Sequence, residues 1–363
     1  MNFDFTEDQR RLQEEVRRVL GDHSTSANVR RVLEGEAFYC AASWHELAGL
    51  GALGIAIAED HGGAGMGLLE LCLVAEEAGR SLAAVPLLPT VYLAAEAIAR
   101  AGSPEQKAQW LPRIASGEAI FSAVLDPRSQ RVLADAPPWL EGERLSGTIN
   151  AVPDGMAAGA CLLLVDGRLL IADLAAEGIE RSAQRSLDPT RPLARITFDR
   201  TPVDVLAALD GNAVAETVIH GAAVLLAFEA VGGAERALYA ARDYVMERRA
   251  FGRLVGSFQA VKHKLAEIFA QIEIARAHAY YGAWAMASGA PELPRAAAAS
   301  RVAATTAYNL AAEESLHLHG GIGYTWEVDC HLHLRRARWL GQILGNEHLW
   351  REKLTASLIG EAA

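Results

Sequence analysis

Strand-like segments are confined to the middle of this 363-residue chain. The segment "ACLLLVDGRLLIADL" contains two short apolar runs with β propensity, and "RLSGTINAV" and "ARITFDR" are predicted as further strands. On both sides of them, apolar residues recur at the spacing of amphipathic helices, for example in "FTEDQRRLQEEVRRVL". Because the strands stay together while helices flank them, the sequence predicts an α+β fold, mostly α, with an inserted β domain.

The changes in pattern predict three domains. An N-terminal helical domain is expected over residues 1–118, a middle antiparallel β domain over 119–207, and a C-terminal helical bundle over 208–363. Ser103 and Gln106 have the spacing of a helix capping box, with Pro104 at the first helical position. Asp166-Gly167 predicts a tight hairpin turn, since this pair tolerates positive φ.

The charge and the cysteines narrow the class of protein. A net charge of −11 argues against nucleic acid or an anionic membrane as a general partner, because both require a broad cationic field. No signal-like start precedes the first helix, and no apolar run reaches the roughly 18 residues of a membrane span. A cytoplasmic protein with reduced thiols is therefore expected. The four cysteines show no C-x-x-C pairing: Cys40, Cys72, Cys161 and Cys330.

Histidines near the C-terminus raise the possibility of a metal site. The segments "HLHG" and "CHLHLRR" contain His317, His319, His331 and His333, with Cys330 beside them. Zinc accepts these donor types, but residues two apart point away from each other on a helix. No C-x-x-C or H-x-x-x-H pattern is present, so no metal is predicted.

The segment "ERRAFGRLVGSFQAVKHKLAE", residues 247–267, interrupts a strongly helical pattern. Arg248, Phe251 and Gln259 offer a guanidinium fork, an aromatic plate and an amide, and Gly252 permits close backbone approach. These groups suit the pyrophosphate and adenine end of a dinucleotide. An ordinary turn between helices, with solvated arginines, is the alternative interpretation.

These motifs resemble those of the acyl-CoA dehydrogenase family. "RRAFGRLVGSFQ" is similar to its R-x-x-F-G…Q corner, and "LHLHGGIGYTWE" to its Gly-Gly-x-Gly segment. "AIAEDHGGAG" and "GSPEQKAQWLPRIASGE" resemble its N-terminal helical signatures. The resemblance covers nearly the whole chain. It implies an N-terminal helical domain, a middle β domain, a C-terminal four-helix bundle, bound FAD and a dimer-of-dimers assembly.

The resemblance also assigns cofactor-binding residues. Arg248, Phe251 and Gln259 would reach across a dimer interface to FAD bound mainly by the neighbouring chain. Gly320 and Gly321 match the backbone that approaches the adenosine diphosphate portion. His317 stands where the family has a glutamine before the Gly-Gly pair.

The carboxylate that the family uses as its base is missing from both usual positions. These positions fall on Ala222 and Leu344, and neither side chain can take a proton. Glu229 follows Ala222 by seven residues, on the same helical stripe, and is the first candidate to replace it. A buried ion pair with an arginine of a packed helix is the alternative role for Glu229. Glu347 is a second candidate base, for which a surface or structural role is the expectation.

The segments that hold the flavin ring in the family also differ. In "SAVLDPRSQRV", Leu125 takes the place of a threonine, and the Gly-Ala-Gly-Ser stretch is gone. The strand that normally carries a ring-covering tryptophan reads "INAVPDG". The half-site that grips the ring therefore looks degraded, whereas the half-site that reaches across the interface looks intact.

The resemblance consequently favours one subunit of a heterotetrameric α2β2 acyl-CoA dehydrogenase of the steroid type. Its partner would retain the base and the ring contacts, and an electron-transfer flavoprotein would accept the electrons. A homotetramer that uses Glu229 as base and a non-catalytic structural subunit are the alternatives. The sequence does not identify the acyl group.

Overall fold

The structure is a computed structural model and describes residues 6–125 and 136–362. Its α-helices are α1 (Glu7–His23), α2 (Ser26–Leu33), α3 (Ala41–Gly49), α4 (Leu68–Arg80), α5 (Glu96–Ala101), α6 (Pro104–Ala115), α7 (Gly211–Glu247), α8 (Gln259–Ala287), α9 (Leu293–His319), α10 (Cys330–Leu340) and α11 (Glu347–Ala362). A π-helical segment, Leu88–Ala95, leads into α5. Short 3-10 turns lie at Ala52–Gly54, Glu59–His61, Val255–Ser257 and Gly320–Tyr324.

The strands form one large sheet and one small hairpin. They are β1 (Phe121–Val124), β2 (Ala136–Glu141), β3 (Arg144–Pro153), β4 (Ala160–Val165), β5 (Arg168–Asp173), β6 (Ile179–Gln184), β7 (Leu193–Val205), β8 (Arg249–Ala250) and β9 (Arg253–Leu254). The large sheet has the order β1-β4-β5-β7-β3-β2, with β6 also paired to β7. The expected antiparallel arrangement holds for every pair except β1 and β4, which are parallel. The long connection between these two strands makes the parallel pairing possible.

The chain divides into two compact units, each built from separate stretches of sequence. The helical unit comprises Met1–Ser26, Cys72–Ala83 and Ala223–Ala363, and the sheet unit comprises Ala27–Leu71 and Ala84–Ala222. The predicted α+β fold, mostly helical, is confirmed. The division into three domains at residues 118 and 207 stays a prediction.

Two local predictions in the sheet unit are confirmed. Ser103 caps α6 in a reciprocal capping box with Gln106, and Pro104 occupies the first turn. Asp166 and Gly167 have φ values of 49° and 75° and join β4 to β5. The side chain of Gln106 also donates to Asp204 Oδ1 at 2.7 Å and to the carbonyl oxygen of Val205 at 2.9 Å. The cap therefore also connects α6 to the end of β7.

In the helical unit, α4 and α7 cross with their backbones in contact. A Cβ atom on Gly79 would lie 1.9 Å from the carbonyl oxygen of Glu229, and one on Gly232 would lie 1.9 Å from that of Glu76. A Cβ on Gly233 would lie 2.5 Å from Cζ of Tyr308 in α9. Glycine at 232 and 233 therefore permits the close approach of these helices, at the cost of helix propensity.

Ionic contacts surround this crossing. Arg17 from α1 donates to Glu77 at 2.8–2.9 Å, and Arg80 donates to the same carboxylate at 3.0 Å. Arg276 from α8 pairs with Glu76, and burial is the main factor that raises the pKa of Glu76. These contacts tie α1, α4 and α8 together inside one unit.

Helix α7 is also the most apolar long helix among the residues described. By length and composition it could cross a membrane, with a mean hydropathy of 1.6 in its most apolar window. However, 72% of that window is buried inside the protein, which is typical of a core helix. Glu229 and several glycines interrupt its apolar residues, so the sequence shows no unbroken apolar run of the roughly 18 residues that a membrane span requires.

The backbone contact at Gly232 predicts a large effect of a single methyl group. We expect Gly232→Ala to lower the free energy of unfolding by about 1–3 kcal/mol or more, because the helices must move apart. Gly21→Ala in α1 is the matched control: a Cβ there meets nothing within 4 Å. This control should raise stability by roughly 0.5–1 kcal/mol through helix propensity. Urea unfolding of the purified proteins measures both, and a Gly232→Ala protein as stable as the parent would contradict the proposed contact.

Candidate functional site

The segment after α7 forms a tight hairpin, which we call the corner (Arg248–Gln259). β8 and β9 pair Arg249 with Leu254 and Ala250 with Arg253, which leaves Phe251 and Gly252 as the two turn residues. Their φ values are 52° and 78°. Positive φ at both positions is the geometry of a type I′ turn, and a bulky aromatic residue adopts it at an energetic cost. The interruption of the helical pattern is thus a strained two-residue turn.

The corner residues named from the sequence are exposed. The side chain of Phe251 is 94% exposed, and Arg248 and Gln259 also lie at the surface. Among the residues described, the Arg248 guanidinium makes no ion pair, whereas Gln259 Nε2 lies 2.8 Å from Nε2 of His263. An uncompensated guanidinium beside an exposed ring can bind an anionic, planar ligand.

The end of α9, just before the Gly-Gly segment, contacts the helices on both sides of the corner within the helical unit. Tyr244, one turn before Arg248, stacks on His319 with ring centroids 4.5 Å apart. Lys264 pairs with Glu314 at 3.3 Å, and His317 Nδ1 lies 3.8 Å from the same carboxylate. The hydrogen bonds to Glu267 and Glu314 raise the pKa of Lys264. The end of α9 therefore contacts α7 one turn before the corner and α8 shortly after it.

The two glycines leave open space for a ligand. Gly320 has a φ of 65°, and a Cβ on either Gly320 or Gly321 would meet nothing within 4 Å. Packing inside the chain does not explain why position 321 lacks a side chain. Close approach of another molecule to this backbone is a physical reason for glycine at position 321.

Glu229 lies far from the corner and deep in the helical unit. It precedes Glu247, the last residue of α7, by 18 residues, or about 27 Å along the helix axis. Only 1% of Glu229 is exposed. A ligand held at the corner is therefore remote from this carboxylate.

Arg301 of α9 is the charged partner of Glu229. Burial lowers the pKa of Arg301 to about 10, and the charge of Glu229 opposes that shift. The guanidinium also donates to the carbonyl oxygens of Leu340 and of Ile343, the latter at 2.8 Å. Glu229 thus has an electrostatic interaction with an arginine of a packed helix.

The two family base positions carry no acid in the structure either. Ala222 is fully buried, and Leu344 is half-buried with a φ of 58° in the turn that follows α10. Glu347 lies in the first turn of α11, where Arg351 Nε donates to it at 2.8 Å. Glu347 therefore forms a pair within its own helix, an ordinary surface role.

In the sheet unit, the residues that the resemblance places at the flavin ring make contacts within the chain instead. Leu125 is 1% exposed and its side chain donates no hydrogen bond, and residues 126–135 of the same motif lie outside the described part of the chain. In β3 the pairing shifts between Ile149 and Val152, and Ala151 has a φ of 54°. The Ala151 N–H donates to Gln184 Oε1 at 2.7 Å, and Gln184 Nε2 donates to Asn150 Oδ1 at 3.0 Å.

The two half-sites therefore differ in their fit to a flavin dinucleotide. The corner offers a guanidinium, an exposed ring and open glycine backbone. In the strand segment, Leu125 cannot supply the hydroxyl of the threonine it replaces, and Gln184 occupies the Ala151 N–H. The described residues fit the cofactor at the corner and do not fit it at the strands.

Sequence reasoning did not find Arg301 or Gln184. Arg301 lies 72 residues after Glu229, and Gln184 lies 33 residues after Ala151. The only signal for Arg301 was its place among the alanines of α9, which indicates a buried position. No sequence signal pointed to the second.

The histidines and cysteines form other contacts. Tyr308 Oη lies 3.0 Å from Nδ1 of His333, and burial lowers the pKa of His333 to about 3. Burial raises the pKa of Cys161 to about 12, and all four cysteines are buried. Across residues 6–125 and 136–362, no three His, Cys, Asp or Glu side chains cluster as metal ligands would.

Comparison with solved structures shows the same fold along the whole chain. The Tcur3481-Tcur3483 steroid ACAD G363A variant is 31% identical, with a TM-score of 0.88 over 98% of both chains. The ChsE4-ChsE5 complex from Mycobacterium tuberculosis is 27% identical, with a TM-score of 0.90 over 99% of both chains.

Sequence comparison gives matches of similar extent. Among relatives, acyl-CoA dehydrogenase IpdE2 of Mycobacterium tuberculosis is 36% identical over 93% of each chain. Acyl-CoA dehydrogenase FadE34 of the same organism is 36% identical over 85% of this chain and 41% of its own length. Family models for the acyl-CoA dehydrogenase N-terminal and C-terminal domains match residues 6–118 and 210–359. The chain belongs to the acyl-CoA dehydrogenase family.

Proposed function

We propose that this chain is one subunit of a heteromeric acyl-CoA dehydrogenase and that its corner completes an FAD site on a second, base-bearing chain. One contrast carries the proposal. The corner presents the uncompensated guanidinium of Arg248 and the exposed ring of Phe251, whereas the two base positions hold Ala222 and Leu344.

Members of this family are FAD-dependent oxidoreductases that act on acyl-CoA thioesters. The reaction requires a carboxylate that removes the α-proton of the thioester, with hydrogen-bond donors for the developing enolate. FAD, when bound, accepts the β-hydrogen as hydride. This chain's described residues supply neither the usual base nor a fitted ring contact, so a partner must bring both.

The corner residues have distinct roles in this arrangement. Arg248 would pair with the pyrophosphate, Phe251 would pack against the cofactor, and Gln259 would donate an amide hydrogen bond. Gly320 and Gly321 would let backbone approach the adenosine diphosphate portion, with His317 at its edge. All six residues lie in the helical unit at or near the surface, where a second chain can reach them.

The comparisons support a pair of unlike chains. Two solved structures that resemble this chain carry two component names each, Tcur3481-Tcur3483 and ChsE4-ChsE5. FadE34 extends well beyond its match, since 59% of its length lies outside it. The first of the two structures is described as a steroid ACAD, which favours a CoA thioester of a steroid-derived acyl group as the substrate. We propose an electron-transfer flavoprotein as electron acceptor and the cytoplasm as location.

Glu229 as the base of a homotetramer remains a prediction. Its burial and its proximity to Arg301 support the structural role instead. A thioester base must reach the substrate, whereas only 1% of Glu229 is exposed and it lies deep in the helical unit.

Arg248→Ala tests the shared site. In the complex of this chain with its co-purifying partner, the substitution should weaken FAD binding about 10- to 100-fold, because a charge-assisted contact is lost. Arg249→Ala, the neighbouring exposed arginine, is the matched control and should retain FAD. Flavin absorbance per chain after gel filtration measures the loss. Full flavin content and full acyl-CoA turnover in Arg248→Ala would leave a purely structural subunit as the better account.

Glu229→Gln tests whether Glu229 is the catalytic base or a structural counter-charge for Arg301. We expect the free energy of unfolding to fall by about 1–3 kcal/mol, because Arg301 loses its buried counter-charge. Turnover by the assembled complex should persist below the unfolding temperature. Glu347→Gln, the control, removes only a surface pair and should change stability by less than about 0.5 kcal/mol. Loss of turnover in Glu229→Gln with unchanged stability and flavin content would identify Glu229 as the base.

A further inference from the structure

The turn that presents Phe251 has little to hold it in place. It is closed by one two-residue ladder, together with a hydrogen bond from Val255 N to the carbonyl oxygen of Arg248 at 2.8 Å. The Phe251 ring is 94% exposed, so burial in this chain does not anchor it. Positive φ at a phenylalanine persists only where the surroundings over-determine it.

Two side chains form a stack beside this turn. The Phe258 ring meets the Phe251 ring edge-on, with centroids 6.4 Å apart and an interplanar angle of 86°. The Arg253 guanidinium lies 3.8 Å above the centroid of Phe258. Both contacts have favourable geometry for aromatic and cation–π interactions. Arg253 thus rests on Phe258, and Phe258 supports Phe251.

The stack has a rigid base. Phe258 is the N-cap residue of α8, and its N–H donates to the carbonyl oxygen of Val255 at 3.1 Å. Gly256 is buried so close to α7 that a Cβ there would lie 3.1 Å from the carbonyl oxygen of Val245. The Val255–Ser257 turn is therefore fixed between α7 and α8. Because Phe258 follows this turn directly, its backbone position is fixed as well.

We propose that Arg253 and Phe258 are positioning residues that hold the Phe251-Gly252 turn in the conformation that binds the cofactor. The inference rests on the proposed function, in which the corner completes an FAD site on a partner chain. Arg253 restrains the ring of Phe258, and the ring of Phe258 in turn restrains Phe251. Ordering the turn in advance lowers the entropy lost when the cofactor binds.

The first readout needs no cofactor and no partner. Amide hydrogen exchange of residues 250–254 in the isolated chain reports how often the turn opens. Arg253→Met and Phe258→Leu should each speed this exchange about two- to fivefold, the range expected for loss of one exposed cation–π or aromatic contact. Arg249→Met, in the same hairpin but not on the Phe258 ring, is the matched control and should leave it unchanged. The melting temperature of each variant checks that the rest of the chain stays folded.

The second readout is FAD dissociation from the assembled complex. Both variants should speed dissociation by a similar factor, and the double variant should add little to either single one, because the residues act in series. Unchanged exchange in either variant overturns the proposal. Faster FAD loss in Arg253→Met alone, with unchanged exchange, also overturns it and makes Arg253 a direct phosphate ligand.

Failure of the proposed function would look different. In that case Arg248→Ala would not release FAD from the complex, whatever the exchange rates show. If Arg248→Ala releases FAD while Arg253→Met and Phe258→Leu speed exchange without affecting FAD, the shared site stands. The role of the stack in cofactor binding is then rejected.

Discussion

The backbone contact between α4 and α7 is the constraint on which the helical unit depends. Gly79 and Gly232 let the two helices approach until a carbonyl oxygen of each occupies the space of a side chain on the other. Charged pairs from α1, α4 and α8 close around this crossing. Helix α7 continues unbroken from Gly211 to Glu247, and the corner follows its C-terminal end. The crossing with α4 therefore also fixes the position of the corner within the helical unit.

That geometry separates two functions that a complete enzyme must combine. The corner at the end of α7 is exposed and chemically suited to a dinucleotide. Glu229 lies in the interior of the same helix, about 27 Å from the corner along the helix axis. Its charge interacts electrostatically with that of Arg301. The usual base positions, Ala222 and Leu344, carry alkyl side chains. In the proposed function, this chain contributes to catalysis by completing a site whose base and ring contacts belong to another chain.

The strand segment of the sheet unit agrees with this division of roles. At Asn150-Ala151 the ladder between β3 and β7 is irregular, and the Gln184 side chain takes up the Ala151 amide. Leu125 packs in the interior in place of a hydroxyl-bearing residue. The described strand residues are thus engaged with one another, whereas the corner residues are directed to solvent.

Features set by neighbouring residues could be predicted from the sequence. The Ser103–Gln106 cap and the Asp166-Gly167 turn follow from backbone hydrogen bonding and φ preferences within four residues. The strained turn at Phe251 could not be predicted, because phenylalanine itself disfavours positive φ. The contacts of Phe251 with Phe258, and of Phe258 with Arg253, are visible only in the structure. The electrostatic interaction between Glu229 and Arg301 and the hydrogen bond between Ala151 and Gln184 join residues far apart in sequence, so only the tertiary fold reveals them. The parallel pairing of β1 with β4 was not predicted for the same reason.

The most direct test of the shared site is the FAD content per chain, measured by visible absorbance on protein from a flavin-replete host. The chain should be measured alone and then with the partner that co-purifies from its native cells. We predict a colourless or strongly substoichiometric chain alone, and one FAD per pair of unlike chains in the complex, bleached by acyl-CoA. One FAD per chain in the isolated protein, bleached by acyl-CoA without any partner, would contradict the account and identify a self-sufficient dehydrogenase.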